Sequence, residues 1–78
     1  MTTTKKTKLP KWFNGEIYTE GDVVTNPFSG ENCKLNKEEL SMYDLIMGAQ
    51  MLQDWDLMRK GLDWFRTHNA KAYMVLLD

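Results

Sequence analysis

Apolar residues recur at helical spacing through most of the segment 36–68, and a polar pair, Gln53 and Asp54, divides this pattern into two parts. The pattern predicts two amphipathic helices joined by a tight break at the pair. In the first helix the apolar positions cover a wide arc: Leu40, Met42, Tyr43, Leu45, Ile46, Met47, Ala49, Met51 and Leu52. An arc of this width indicates burial on more than one side, so we expect the rest of the chain to pack around the helix pair.

The first helix has clear start signals. Asn36 is a favourable N-cap residue, and Glu39 lies three positions later, where its carboxylate reaches the backbone amide of the cap as in a capping box. Leu35 and Leu40 flank the cap as a hydrophobic staple, and the acidic first turn suits the positive end of the helix dipole. The helix is therefore predicted to begin at Lys37.

The second helix is predicted to begin after Asp54, which suits an N-cap, and to end near His68 and Asn69. Its apolar face consists of Leu57, Met58, Gly61, Leu62 and Phe65, and its charged face of Arg59, Lys60, Asp63 and Arg66. Gly in a helix interior costs about 1 kcal/mol relative to Ala. We therefore expect the first helix to approach closely at Gly61.

Between residues 9 and 35, short apolar pieces alternate with turn residues, a pattern typical of strands. The pair Asn14 and Gly15 separates residues 12–13 from residues 17–18. Because this pair suits a two-residue turn with positive φ angles, it predicts a tight hairpin.

Two further strands are predicted at residues 23–25 and 32–35, with a turn over 26–30 between them. Together with the hairpin they form a small antiparallel meander, one face of which packs on the helix pair. The candidates for this inward face are Trp12, Ile17, Val23, Cys33 and Leu35.

The segment 70–77 is predicted as a third, short helix capped by Asn69, with an extended tail as the alternative. Its apolar residues recur at helical spacing. We favour a helix docked back on the hairpin, because a free apolar tail would be an aggregation hazard.

The 78 residues suffice for one small domain, and 42% apolar with 27% charged residues is a globular composition. The predicted fold class is α+β: a small antiparallel β-meander in the N-terminal half, packed on a helical hairpin plus a short C-terminal helix. Residues 12–78 form the domain, and residues 1–11 form a flexible basic arm.

The arm carries Lys5, Lys6, Lys8 and Lys11 and no acid, whereas residues 12–78 hold six basic and eleven acidic residues, a balance of −5. Such an arm is a candidate for contact with nucleic acid. We favour a solubilising tail, because the lysines lack interleaved aromatic residues. Nucleic acid is therefore not the expected partner.

Catalytic and metal-binding patterns are sparse. The one nucleophile and base combination is Cys33 with His68, and for His68 a helix-capping role is favoured over catalysis. Asp54, Asp56 and Gly61 resemble part of a calcium loop that lacks its third acid and closing glutamate. The sequence contains no zinc ligand set and no glycine-rich phosphate loop. We predict no enzyme activity, no metal and no cofactor.

A single cysteine excludes an internal disulfide. No secretory signal or long apolar run is visible, so the protein is expected to be cytoplasmic and not membrane-bound.

The aromatic residues are more informative about function. Trp55 lies at the break between the helices, and Trp64 lies off the apolar face of the second helix. Trp is enriched in binding hot spots, although both residues also suit packing roles, Trp55 against the turn and Trp64 under the C-terminal segment. The candidate partner-binding residues are Phe28, Trp55, Trp64 and Tyr73.

Four segments of the sequence carry a resemblance to known proteins: TNPFSGE at 25–31, ELSMYD at 39–44, KGLDWFR at 60–66 and AKAYMVLLD at 70–78. They resemble small uncharacterised proteins encoded by tailed phages of marine cyanobacteria. The resemblance covers residues 12–78 and includes no catalytic signature. It implies a phage product that acts in the host cytoplasm or is carried in the virion.

The leading functional hypothesis is a non-enzymatic protein-interaction module that binds a host or phage protein. The alternatives are a nucleic-acid-associated protein using the basic arm and a minor structural component of the virion. An enzymatic interpretation rests on Cys33 and His68 alone. Because a small domain has limited interior for its Trp and Met residues, we also expect a homodimer with the C-terminal segment and Trp64 near the interface.

Overall fold

The structure, a computed structural model, describes residues 9–77. The elements in chain order are β1 (Asp22–Thr25), β2 (Asn32–Leu35), α1 (Lys37–Leu52), α2 (Trp55–His68) and α3 (Ala70–Leu76). The two strands pair antiparallel. This arrangement confirms the predicted α+β class, with the β part smaller than the predicted meander.

The register of the strand pair decides which side chains face the core. Val24 pairs with Cys33 and Asp22 with Leu35, so these four residues share one face. Leu35 is fully buried, and Val24 and Cys33 pack against the core. Val23 lies on the opposite face and is exposed. The prediction of Val23 as an inward residue was therefore wrong by one position.

The first predicted hairpin is not formed, because residues 12–18 contain no strand. This segment runs along α1 instead. The backbone N–H of Tyr18 donates to the hydroxyl of Ser41 at 2.9 Å, and a Cβ added at Gly15 would lie 3.1 Å from Cδ1 of Leu45. Packing against a helix therefore replaces the strand pairing that the turn signal predicted.

The two predicted inward residues of this segment have different environments. Trp12 packs against the core, and Nζ of Lys60 lies 5.9 Å from the centroid of its ring, within the range of a cation–π contact. Ile17 is exposed, so its prediction as an inward residue was wrong. It follows that the N-terminal segment contributes to the core mainly through its first half.

A buried hydroxyl connects the N-terminal segment to α1. Ser41 is fully buried, and besides accepting from Tyr18 its hydroxyl donates to the carbonyl of Lys37 at 2.7 Å. The carboxylate of Asp44 raises the pKa of the Tyr18 phenol above its ordinary 10.0, with further contributions from burial and from Glu16. The folded structure thus favours the neutral phenol over the phenolate.

The predicted start of α1 is confirmed in detail. The side chain of Asn36 accepts from the backbone N–H of Glu39 at 2.8 Å, and the carboxylate of Glu39 accepts from the N–H of Asn36 at 3.0 Å. Leu35 belongs to the core, and Leu40 packs against it. The capping box therefore places the first residue of α1 at Lys37.

Gly61 lies where α1 and α2 approach each other closely. A Cβ added to Gly61 would lie 2.6 Å from Cγ1 of Ile46, a fully buried residue, and 3.5 Å from the sulfur of Met42. Only a residue without a side chain fits this spacing. The close approach predicted from the sequence is confirmed.

Asn69 joins the last two helices to the start of α1. Its side-chain oxygen accepts from the N–H of Ala72 at 3.1 Å and so caps α3. Its amide nitrogen donates to the buried carboxylate of Glu39 at 2.9 Å. The third helix is therefore formed as predicted, and it packs against both α2 and β2.

The core lies where α1, α2, α3 and β2 meet. It consists of Leu35, Met42, Ile46, Trp64, Phe65, Ala72 and Leu76. None of the helices within residues 9–77 has the length and hydrophobicity needed to cross a membrane.

Candidate functional site

The turn between α1 and α2 is fixed by backbone hydrogen bonds. Gln53 adopts the left-handed conformation with φ 60°, and its N–H and that of Asp54 both donate to the carbonyl of Ala49. The carboxylate of Asp54 then accepts from the N–H of Leu57 at 3.2 Å and caps α2. The break predicted at Gln53 and Asp54 is confirmed, and its geometry is that of a helix C-cap followed directly by an N-cap.

Three large apolar side chains lie in solvent around this turn. Met51 is 84% exposed, Leu52 81% and Trp55 55%. None of the three belongs to the core cluster or packs against it, as far as the described residues go. We call Met51, Leu52 and Trp55 the apolar tip. Because large contiguous apolar patches on a protein surface mark interaction sites, the apolar tip is a candidate for such a site.

Two acidic residues lie next to the apolar tip: Asp54 and Asp56 flank Trp55 and are exposed. The next charged residues along α2 are Arg59 and Lys60, about one turn further on, and both are exposed. A molecule that covers the tip therefore meets an apolar centre with two carboxylates at its edge.

A second apolar feature is a groove of about 340 Å³ that opens beside the loop between β1 and β2. We call it the groove. Its principal lining residues are Tyr43 and Met47 from α1, Met58 and Leu62 from α2, and Leu76 and Leu77 at the end of α3. Phe28 stands at its rim and is 98% exposed. The groove and this aromatic side chain thus share one face of the molecule.

The loop that carries Phe28 is held by Asn26. The side-chain oxygen of Asn26 accepts from the N–H of Phe28 at 2.8 Å and from that of Ser29 at 3.3 Å. Its amide nitrogen donates to the carbonyl of Val75 at 2.9 Å. The Asn-Pro-Phe sequence is therefore a turn, as expected, and it is anchored to α3.

The structure separates the four predicted partner-binding residues. Phe28 and Trp55 are exposed at different places, Phe28 at the groove and Trp55 at the tip. Tyr73 is half-buried and packs against the core, and Trp64 is a core residue that is only 8% exposed. Burial of Trp64 is the packing alternative given above. Partner binding by Phe28, Trp55 and Tyr73 stays a prediction.

Cys33 and His68 have separate surroundings. The Sγ atom of Cys33 lies 4.0 Å from the carbonyl oxygen of Lys34. The Nδ1 atom of His68 lies 2.8 Å from the carbonyl oxygen of Trp64, and the two rings are stacked with centroids 4.4 Å apart. His68 therefore contacts Trp64 one turn earlier in α2, and no hydrogen bond between the thiol and the imidazole occurs within residues 9–77.

The described part of the chain also contains no group of three or more His, Cys, Asp and Glu side chains placed to hold a metal ion. Of the lysine arm, Lys5, Lys6 and Lys8 lie outside the described residues, and Lys11 is exposed. Leu9 packs against the core. Contacts with the domain thus begin before residue 11, and nucleic-acid binding by the lysine arm stays a prediction.

Sequence reasoning missed the exposure of Met51 and Leu52. Both fit the apolar arc of α1 and were assigned to the buried side. The signal that separates them is their position: they lie in the last turn of α1, next to the break at Gln53, where the neighbouring helix has only just begun. The groove could not be found from the sequence because three helices and a loop form it together.

Comparison with known proteins identifies no relative: no family model, no curated protein and no solved structure matches this chain significantly.

Proposed function

We propose that this protein is a non-enzymatic protein-interaction module and that the apolar tip is its contact surface. The observation that carries the proposal is the exposure of Met51, Leu52 and Trp55 on a turn fixed by hydrogen bonds. A surface that is already ordered loses little conformational entropy when it binds. Because these apolar side chains are exposed, binding to a partner explains them better than packing within the fold does.

The chemistry of the tip defines the partner. Trp55 is the natural anchor, because a half-exposed Trp with a fixed backbone fills an apolar pocket at low entropic cost. Asp54 and Asp56 favour basic residues around that pocket, since complementary charge raises the association rate and selects the partner. We therefore propose a protein partner that presents an apolar pocket with a basic rim.

The resemblance to phage proteins supports a setting for this activity. In that setting the protein is an accessory product that binds a host or phage protein in the infected cell. A minor component of the virion is the alternative within the same setting, and there the tip contacts a neighbouring virion protein. The two cases differ in whether the purified phage particle contains the protein.

The test is a quantitative pull-down from lysate of the cells that make the protein, with mass spectrometry of the retained proteins. Wild type is compared with Trp55→Ala and with a Met51→Ala, Leu52→Ala double variant. Loss of a hot-spot residue costs about 2 kcal/mol or more, so we expect roughly thirtyfold weaker retention of the partner. Ile17→Ala is the matched control, because it removes an apolar side chain with an exposure of 68%, between those of Trp55 and Leu52, from another surface.

The proposal requires that Ile17→Ala retain the partner at the wild-type level while both tip variants lose it. Circular dichroism confirms that the variants are folded. Retention of the same proteins by wild type and by both tip variants would contradict the proposal, and so would hydrolysis or transfer of a substrate by the purified protein.

A further inference from the structure

We infer that the groove is covered by a second copy of this chain, in a two-fold dimer in which each copy inserts Phe28 into the groove of the other. This inference goes beyond the proposed function. It uses residues other than the apolar tip.

The inserted side chain is Phe28. It is 98% exposed, yet its backbone is held by Asn26, whose own N–H donates to the carbonyl of Glu31 at 2.8 Å while its carbonyl accepts from the N–H of Gly30 at 2.8 Å. The side chain of Asn26 adds the bond to Val75 that ties the loop to α3. A fully exposed aromatic ring on a fixed loop is pre-organised for insertion into an apolar site.

The receiving site is the groove. Its volume is about 340 Å³, whereas a cavity of roughly 150 Å³ accepts a benzene ring. The walls include Met47, Met58 and Leu62, and Met side chains adapt well to an inserted ring and make favourable sulfur–aromatic contacts. The groove therefore has both the room and the chemistry for the benzyl group of Phe28.

The position of the ring relative to the groove indicates the partner. Phe28 stands at the rim of the groove in the same copy, so one surface carries both a protruding group and a site that fits it. Such a surface is complementary to itself, and a two-fold axis satisfies both sites at once. Residues 1–8 of the chain are a poor alternative occupant, because MTTTKKTK contains one apolar residue, Met1.

The area involved predicts a weak dimer. A Phe side chain buries about 200 Å² and covers a comparable area of groove, so two insertions bury about 800 Å² in total. This total lies below the roughly 1,200 Å² that specific, stable complexes bury. We therefore expect a weak dimer that forms only at high protein concentration.

Sedimentation equilibrium over a concentration series into the high-micromolar range tests the dimer. Wild type is expected to change from a single 9.2 kDa species to twice that mass as concentration rises. Phe28→Ala should weaken association at least tenfold, whereas Ile17→Ala should not change it. A wild-type protein that stays monomeric, or a dimer that is unchanged in Phe28→Ala, would overturn the inference.

Photo-crosslinking locates the contact. Position 28 carries a photoreactive phenylalanine analogue in an isotopically light copy, which is mixed with a heavy wild-type copy. The inference predicts light–heavy crosslinks from position 28 to peptides containing Met47 or Met58. Crosslinks confined to the light copy, including those to residues 1–8, would overturn it, as would light–heavy crosslinks elsewhere.

The two proposals fail independently. Phe28→Ala is expected to keep the pull-down partner, and Trp55→Ala is expected to keep the dimer. Loss of the dimer in Phe28→Ala together with an unchanged pull-down therefore supports the dimer without bearing on the tip, and the opposite pattern supports the tip alone.

Discussion

Replacing each of two helical glycines by alanine tests the packing of α1 on α2. Gly61 lies on α2 and faces α1, and an added Cβ would lie 2.6 Å from Cγ1 of Ile46. Gly48 lies inside α1, and a Cβ added there would meet nothing within 4 Å. The two substitutions are chemically identical, so the difference between them isolates the contact.

The magnitudes follow from two effects of opposite sign. Alanine in a helix interior is favoured over glycine by about 1 kcal/mol at either site. At Gly61 this gain is opposed by overpacking, which costs about 1–3 kcal/mol, because Ile46 is fully buried and has no solvent-filled space to move into. Gly48→Ala should thus stabilise by about 1 kcal/mol, and Gly61→Ala should be destabilised relative to it by about 1–3 kcal/mol.

Urea and thermal unfolding followed by circular dichroism measure both variants. For a domain of this size, 1 kcal/mol corresponds to a change of about 4–8 °C in Tm, so Gly48→Ala is expected to unfold at higher temperature than wild type. The refuting result is equal stabilisation by both substitutions. It would mean that α1 and α2 are not in close contact at Gly61.

Three further predictions concern one backbone conformation and two polar contacts. Gln53→Gly should raise the free energy of unfolding by about 0.5–1 kcal/mol, because glycine adopts the left-handed conformation without steric cost; an unchanged or lower urea midpoint would contradict this. Asp44→Asn should lower the pKa of Tyr18, whose elevation above 10.0 is caused first by Asp44, and absorbance titration with Tyr18→Phe as the reference measures it. Since the raised pKa favours the neutral phenol in the folded state, its stabilising effect is present below pH 10.0 and is lost as the pH rises through the folded pKa, so wild type should lose more stability than Asp44→Asn in alkali. Asn69→Ala should lower the free energy of unfolding by about 1–2 kcal/mol, because it removes the α3 cap and the hydrogen bond to Glu39. Asn69→Ser keeps the cap and should recover about half of this loss. Equal thermal stability of Asn69→Ser and wild type would show that the Glu39 bond contributes nothing.

The helices could be predicted from the sequence because their end signals are local. Asn36 with Glu39, and Asp54 with the break before it, act within a few residues, so the sequence alone places both starts correctly. Gly61 could be interpreted for a related reason. A residue that destabilises a helix interior indicates that a neighbouring residue needs the space. Only the structure shows that this neighbour is Ile46.

The sequence-based predictions were wrong where contacts between residues far apart in the chain determine the local structure. Residues 12–18 contain a good turn signal, but whether a strand pair follows depends on contacts with α1, such as the bond from Tyr18 to Ser41. The pairing with β2 likewise determines that Val24, and not Val23, faces the core.

The candidate site was predicted only in part for the same reason. Trp55 could be identified because it stands at the break between the helices. Met51 and Leu52 follow the periodicity of a buried face, and only the position of α2 shows that the last turn of α1 extends past the core. Phe28 could be named as an exposed contact, whereas the groove beside it depends on the packing of three helices.

Site-specific photo-crosslinking from position 55, in cells that make the protein, tests the central claim that the apolar tip contacts another protein. The control places the same photoreactive residue at position 66, where Arg66 is equally on the surface of α2 and pairs with Asp63 at 2.7 Å. The account predicts a covalent adduct with a second protein from position 55 and none from position 66. No adduct at position 55, or the same adducts from both positions, would contradict it.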